Sequence, residues 1–197
     1  MKIENAGKLD PRRFESPGRS FAIAPEDLSE RQRALLDRML SGPRKTAPIN
    51  QRIWMHNIDF AEVAERFGAY VSAQAPMGAR EKEICILLVA GHWKSDFEWH
   101  WHEQLAHKHG LTREQTDAIR EGLVPKFETA SEQATHDIMR ALLTDRDVPD
   151  ELFERAMAAL GRNAVLDLIG LAGLYSMIAH TIMLYRLQVP AAEGEDK

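Results

Sequence analysis

From Pro25 onward, apolar residues return at intervals of three and four, with polar residues between them and breakers closing each run. Read with helix start and stop signals, this predicts a series of helices. The first covers Pro25 to Leu40 and is stopped by Gly42-Pro43, and a loop over Lys45 to Asn50 holds Pro48. Further helices are expected over Asp59 to about Ala73, opened by Asp59 with Glu62, over Ala79 to His92, and over Asp96 to His109, closed by Gly110. Thr112 with Gln115 forms a capping box for a helix to Glu121, where Gly122 stops it; Thr129 with Glu132 opens another to Leu143. Pro149 to Leu160 and Asn163 to Leu187 complete the set. No run alternates apolar and polar residues, and there is no Asn-Gly or Asp-Gly hairpin signal, so the expected fold is all-α. Residues 1–24 mix Pro, Gly and charge without a period and read as a poorly ordered leader or arm. A single domain is expected over 25–190, with a frayed polar tail over 191–197.

The chain has 197 residues, long enough for one well-packed domain. A net charge of −5 and scattered basic residues, with no basic stripe or aromatic platform, point away from nucleic acid as a partner. A lone cysteine, Cys85, permits no internal disulfide and is compatible with a reducing cytoplasm. The N-terminus carries charge and proline where a secretory signal needs an apolar core, so no targeting segment is expected. Leu168 to Tyr185 carries no Asp, Glu, Lys or Arg over a length near the lower limit for a membrane span. Its Ser176, Thr181, His180 and two glycines, without a flanking basic cluster, favour a buried helix over a membrane crossing.

The candidate chemistry sits in Phe97-Glu98-Trp99-His100-Trp101-His102. On a helix, Glu98 and His102 share one face with Ala106, beside a row of Phe97, Trp101 and Leu105 that should be buried. A carboxylate and an imidazole at the edge of a buried face form a proton-handling pair, and the indoles of Trp99 and Trp101 can exclude water. The same spacing also suits an ordinary helix-surface pair worth a few tenths of a kcal/mol. Glu83 is either an exposed first-turn glutamate or a second carboxylate delivered to the same pocket. Arg80 is either a surface arginine or a cation for an anionic substrate. His92 could cap a helix end, while Tyr175 and His180 on the last apolar helix suit hydrogen-bonded core roles. Five histidines lie between His92 and His109, yet His100 and His102 point about 200° apart on a helix and no HExxH is present. No metal is expected, although Glu83, Glu98 and His102 could bind a divalent ion if they converge. Cys85 lies in an apolar helix body without a resolving partner and should be inert.

Arg80-x-x-Glu83 leading into Ile84-Cys85-Ile86-Leu87-Leu88-Val89-Ala90, then Glu98-Trp99-x-x-His102-x-x-x-Ala106-x-x-x-Gly110-Leu111, resembles the carboxymuconolactone decarboxylase family of the alkyl hydroperoxidase D-like superfamily. The likeness is tight over about Arg80 to Gly122 and weaker from Pro48 to Pro190. The peroxidase branch carries a glutamate, then Cys-x-x-Cys, then a histidine four residues on. With His102 on that histidine, Glu83 falls on the glutamate, and Ser95 and Glu98 stand where the cysteines would be. The resemblance therefore implies the branch without redox thiols. It implies an alkyl hydroperoxidase D-like helical bundle, assembled as a homo-oligomer such as a trimer or hexamer, with a role in aromatic compound catabolism. The activity implied is that of a cofactor-free acid/base lyase, a decarboxylase or isomerase of a small carboxylated lactone or ring acid. His102 would be the general acid/base with Glu83 and Glu98 as its carboxylates, and Arg80 or Arg52 and Trp99 would meet the substrate. The alternatives are a peroxiredoxin-type antioxidant protein of the same superfamily and a metal-binding helical oligomer without redox chemistry. The chain is longer than the short decarboxylases of the family, both at its N-terminus and between Gly122 and the last helix.

Overall fold

The computed structural model describes residues 14–16, 18–42 and 45–189, and among these there are nine α-helices and no strand. The all-α expectation holds. The chain divides into two compact units, one of residues up to Ala73 together with those from Thr181, the other Gln74–His180.

In the first unit, Pro25–Asp27 forms a single 3-10 turn, and α1 (Glu30–Ser41) starts only after it. The start is set by Ser29, whose hydroxyl accepts from the Gln32 N–H while the Gln32 side chain accepts from the Ser29 N–H. Gly42 caps the end, and Pro43 lies outside the described residues. A short helix that the spacing did not predict, α2 (Ile49–Trp54), follows Pro48. Six residues are too few to show a helical period, and Pro48 read as a loop marker while standing at the helix entrance. The cap of α3 (Ile58–Ala69) is Asn57, which accepts from the Phe60 N–H. Asp59 and Glu62, read from the sequence as the capping pair, instead clamp Arg31 of α1 at 2.8 Å each.

Part of the segment read as a loose arm is packed. Phe14 and Phe21 are buried, the Phe21 ring meets Tyr185 edge-on at 6.1 Å, and its carbonyl lies 2.9 Å from Nε2 of His56. Ser16 and Arg19 bond the carbonyls of Arg186 and Leu184, so this stretch is laced to the end of the long last helix. Residues 1–13 of the arm, and the tail read over 191–197, lie outside the described residues.

The second unit holds α4 (Ala79–Trp93), α5 (Asp96–Lys108), α6 (Arg113–Arg120), α7 (Ala130–Arg140), α8 (Asp150–Leu160) and most of α9 (Arg162–Tyr185). Central to it is α4, which packs against α5, α6 and α7. This explains why the run from Ile84 to Ala90 carries no charge: its residues face neighbours on nearly every side, and most are fully buried. Lys94, in the left-handed region at φ 52°, ends α4. The capping box of Thr112 and Gln115 opens α6 as expected, and Thr129 caps α7. After α7 the chain widens into a π-helical turn, Ala141–Asp145, which begins inside what the spacing read as one helix to Leu143 and runs past its end.

By length and composition α9 could cross a membrane, but half of its most apolar stretch is buried within the protein, as for a core helix. Its inner face includes Leu168, Leu171 and Ile178, and Cys85 of α4 lies under the Leu168 carbonyl.

Candidate active site

Three elements of the second unit bring the site together. From α4, Glu83 enters the buried body of the helix one turn after its start, so it is not the exposed first-turn glutamate that position usually gives. From α5 come Glu98 and His102, one turn apart. His102 Nδ1 lies 2.9 Å from Glu83 Oε2, with side chains only 14% and 9% exposed. From α9, Tyr175 sets its ring edge-on to the imidazole at 4.9 Å. A carboxylate can only accept, so Nδ1 carries a proton and donates it, and Nε2 is the nitrogen left for exchange.

Electrostatics sharpen this arrangement. Burial disfavours the His102 imidazolium, but the Glu83 hydrogen bond and the charges of Glu83 and Glu98 outweigh it, and the pKa lies above the ordinary histidine value. Burial pushes the Glu98 carboxyl up to about 7, against an opposing pull from His102. Glu98 thus exchanges its proton near neutrality beside an imidazole that is biased toward its protonated form, an arrangement suited to acid/base catalysis.

Glu98 is buried and its Oε2 has no hydrogen-bond partner among the described residues; the same is true of Ser95 Oγ. Ser95-x-x-Glu98 has the spacing of a capping box at the start of α5, yet no cap forms. The Ser95 N–H, which Glu98 would accept from, is taken by the Ala90 carbonyl at 2.9 Å. Both oxygens are therefore available to something other than the helix end, at the two positions where the resemblance places cysteines. Tyr175, read from the sequence as a core residue, and Ser95, noted there only as standing at a cysteine position, both border the site. For Ser95 the signal was present, as a capping pattern beside Glu98.

The residues expected to meet substrate are committed elsewhere. Arg80 Nε and Nη2 bond the two carboxylate oxygens of Glu132 on α7 at 2.8 and 3.2 Å, and Nη1 donates to the Gly110 carbonyl at 2.6 Å. Gly110 sits at φ 92°, and a Cβ there would lie 3.3 Å from the guanidinium, so glycine suits both the turn and the bond. Trp99, about 100° around α5 from Glu98, is buried in a core cluster with Ile84, Leu87 and Ile119, and the Arg120 guanidinium covers its ring at 5.0 Å. Arg52 belongs to α2 in the other unit and donates to the Ala47 carbonyl. The rows on α5 are also rotated from expectation. Trp101 and Leu105 are only half-buried, whereas Glu98 and Ala106 are buried.

Cys85 is fully buried and burial pushes its thiol up to about 12, so it stays protonated at neutral pH. Among the described residues no group of three or more His, Cys, Asp and Glu side chains is placed to hold a metal ion. Comparison with protein-family models and with curated proteins returns no match for this chain.

Proposed function

We propose that the protein is a cofactor-free acid/base lyase, of carboxymuconolactone decarboxylase-like type, acting on a small carboxylated lactone or ring acid. One observation carries the reading: an imidazole held through Nδ1 by a buried carboxylate, beside a second buried carboxyl that titrates near neutrality. In the decarboxylation, the bond to the carboxylate breaks and carbon dioxide leaves. Its electron pair stays on the conjugated carbon framework, which takes a proton from His102 Nε2. Glu83 keeps the ring in the working tautomer and steadies its charge, and Glu98 can return a proton from solvent to the imidazole. The protonated, enclosed thiol of Cys85 favours this chemistry over a thiol-based peroxidase reaction. The sequence likeness over Arg80 to Gly122 supports an alkyl hydroperoxidase D-like bundle that assembles as a homo-oligomer in the cytoplasm. Exposed apolar Leu166 and Ile169 on α9 suit a subunit contact.

The test is turnover on a panel of small unsaturated lactone carboxylic acids, followed by release of carbon dioxide. His102→Gln keeps the size of the side chain but removes its acid/base function, and should lower kcat at least 100-fold with unchanged helical circular dichroism. Undiminished turnover by this variant, or no turnover by the parent across the panel, would overturn the assignment.

A further inference from the structure

A cavity of the same unit lies on a face of α4 away from Glu83. Its α4 wall includes His92, nine residues beyond Glu83 and about 180° around the helix from it. The cavity measures about 240 Å³ and is lined by two arginines, Arg120 and Arg140, by two histidines, His92 and His136, and by leucines such as Leu123 and Leu143, with no Asp or Glu.

His136 is 0% exposed. Its Nδ1 donates to Asp137 Oδ1 at 2.9 Å, and that same oxygen accepts from Gln133 Nε2 at 2.9 Å. In the neutral ring the proton therefore sits on Nδ1, which leaves a lone pair on Nε2. Nε2 is buried and has no partner among the described residues. An unmatched buried acceptor is costly unless something donates to it. One turn along α7 stands Arg140, half-buried and with no ion pair among the described residues. Arg120, also at the cavity, is held over the Trp99 ring and ion-paired with Asp96 at 3.0 Å, so its charge is partly matched and Arg140 is left as the unpaired cation. A donor-seeking nitrogen and an unpaired guanidinium at i, i+4 are side-by-side neighbours, so they suit two adjacent groups of one ligand. The leucines suit an apolar body.

We propose that this cavity is a second ligand site, for a small 2-hydroxy carboxylate with an apolar substituent. Its carboxylate sits on Arg140 with Arg120 beside it, and its hydroxyl donates to Nε2 of His136. The site shares no residue with the Glu83–His102 pair.

Calorimetric titration of the full chain with mandelate, phenylacetate and inorganic phosphate tests this. Mandelate should bind saturably at one per chain, phenylacetate at least 10-fold more weakly because it lacks the hydroxyl, and phosphate more weakly than mandelate. Arg140→Gln, at a half-buried position that should tolerate the change, should weaken mandelate at least 10-fold, and His102→Gln should leave its affinity unchanged. In spectra of histidine-labelled protein, mandelate should shift the Nε2 resonance of His136, a readout that needs no substitution in the core. No mandelate binding, equal binding of phenylacetate or phosphate, an unaffected Arg140→Gln, an unmoved His136 resonance, or loss of binding in His102→Gln would each overturn the proposal.

Discussion

Glu98 makes the site's chemistry measurable without a substrate. Its native pKa of about 7 lies above the ordinary 4.5, so the folded protein holds a proton that the unfolded chain has released. The stability tied to that proton is complete below about pH 4.5 and is lost as pH rises through about 7, a loss of roughly 3 kcal/mol. Glu98→Gln keeps the shape and cannot ionise. Its melting temperature should therefore match the parent's at pH 4.5 and exceed it at pH 8, and parallel melting curves for the two proteins across that range would contradict the burial argument. At the same scale, Glu83 shows how misleading a position can be. A glutamate in the first turns of a helix is ordinarily held by the helix dipole at the surface, but here it is drawn inward by His102.

Among the elements, Arg80 adds to the tie between α4 and α7, where Glu81 also accepts from Ser131. The guanidinium meets the buried Glu132 and the Gly110 carbonyl, so it braces the start of the helix that carries Glu83. Arg80→Ala would leave Glu132 buried without its counter-charge and should cost roughly 3 kcal/mol in urea unfolding, with KM for an active lactone acid little changed. A raised KM at unaltered stability would instead restore the substrate-contact role. Capping patterns divide in an instructive way. Thr112 with Gln115 closes its box because nothing competes for those groups. Ser95 with Glu98 and Asp59 with Glu62 carry the same spacing and form no box, because the Ala90 carbonyl takes the Ser95 N–H and Arg31 takes both carboxylates of the second pair.

For the molecule as a whole, α9 is the element whose sequence and surroundings disagree. Its buried side chains serve the core, yet Leu166 and Ile169 are 60% and 50% exposed on a helix with no charged residue from Leu168 to Tyr185. Assembly of copies of the chain would cover them. Light scattering should give a mass of several subunits, and Leu166→Glu with Ile169→Glu should reduce it toward one, since a charge at the centre of an apolar contact is disfavoured. A parent that scatters as a single chain would remove the oligomer.

Helix class, and every helix but α2, were legible because the three- and four-residue period, the Thr112 and Thr129 caps and the stops at Gly110 and Gly122 are local features that each segment carries by itself. The proximity of Glu98 and His102 was legible for the same reason, since one helical turn fixes it. The short α2 escaped because six residues do not establish a period, and the packing of Phe14 and Phe21 escaped because their partners lie some 165 residues away. Only the tertiary structure decided that Glu83 reaches His102 across two helices, that Tyr175 arrives from a third, and that Arg80 and Trp99 turn away. Spacing along one helix sets which side chains share a face; which face is enclosed, and by what, depends on helices that meet only when the chain has folded.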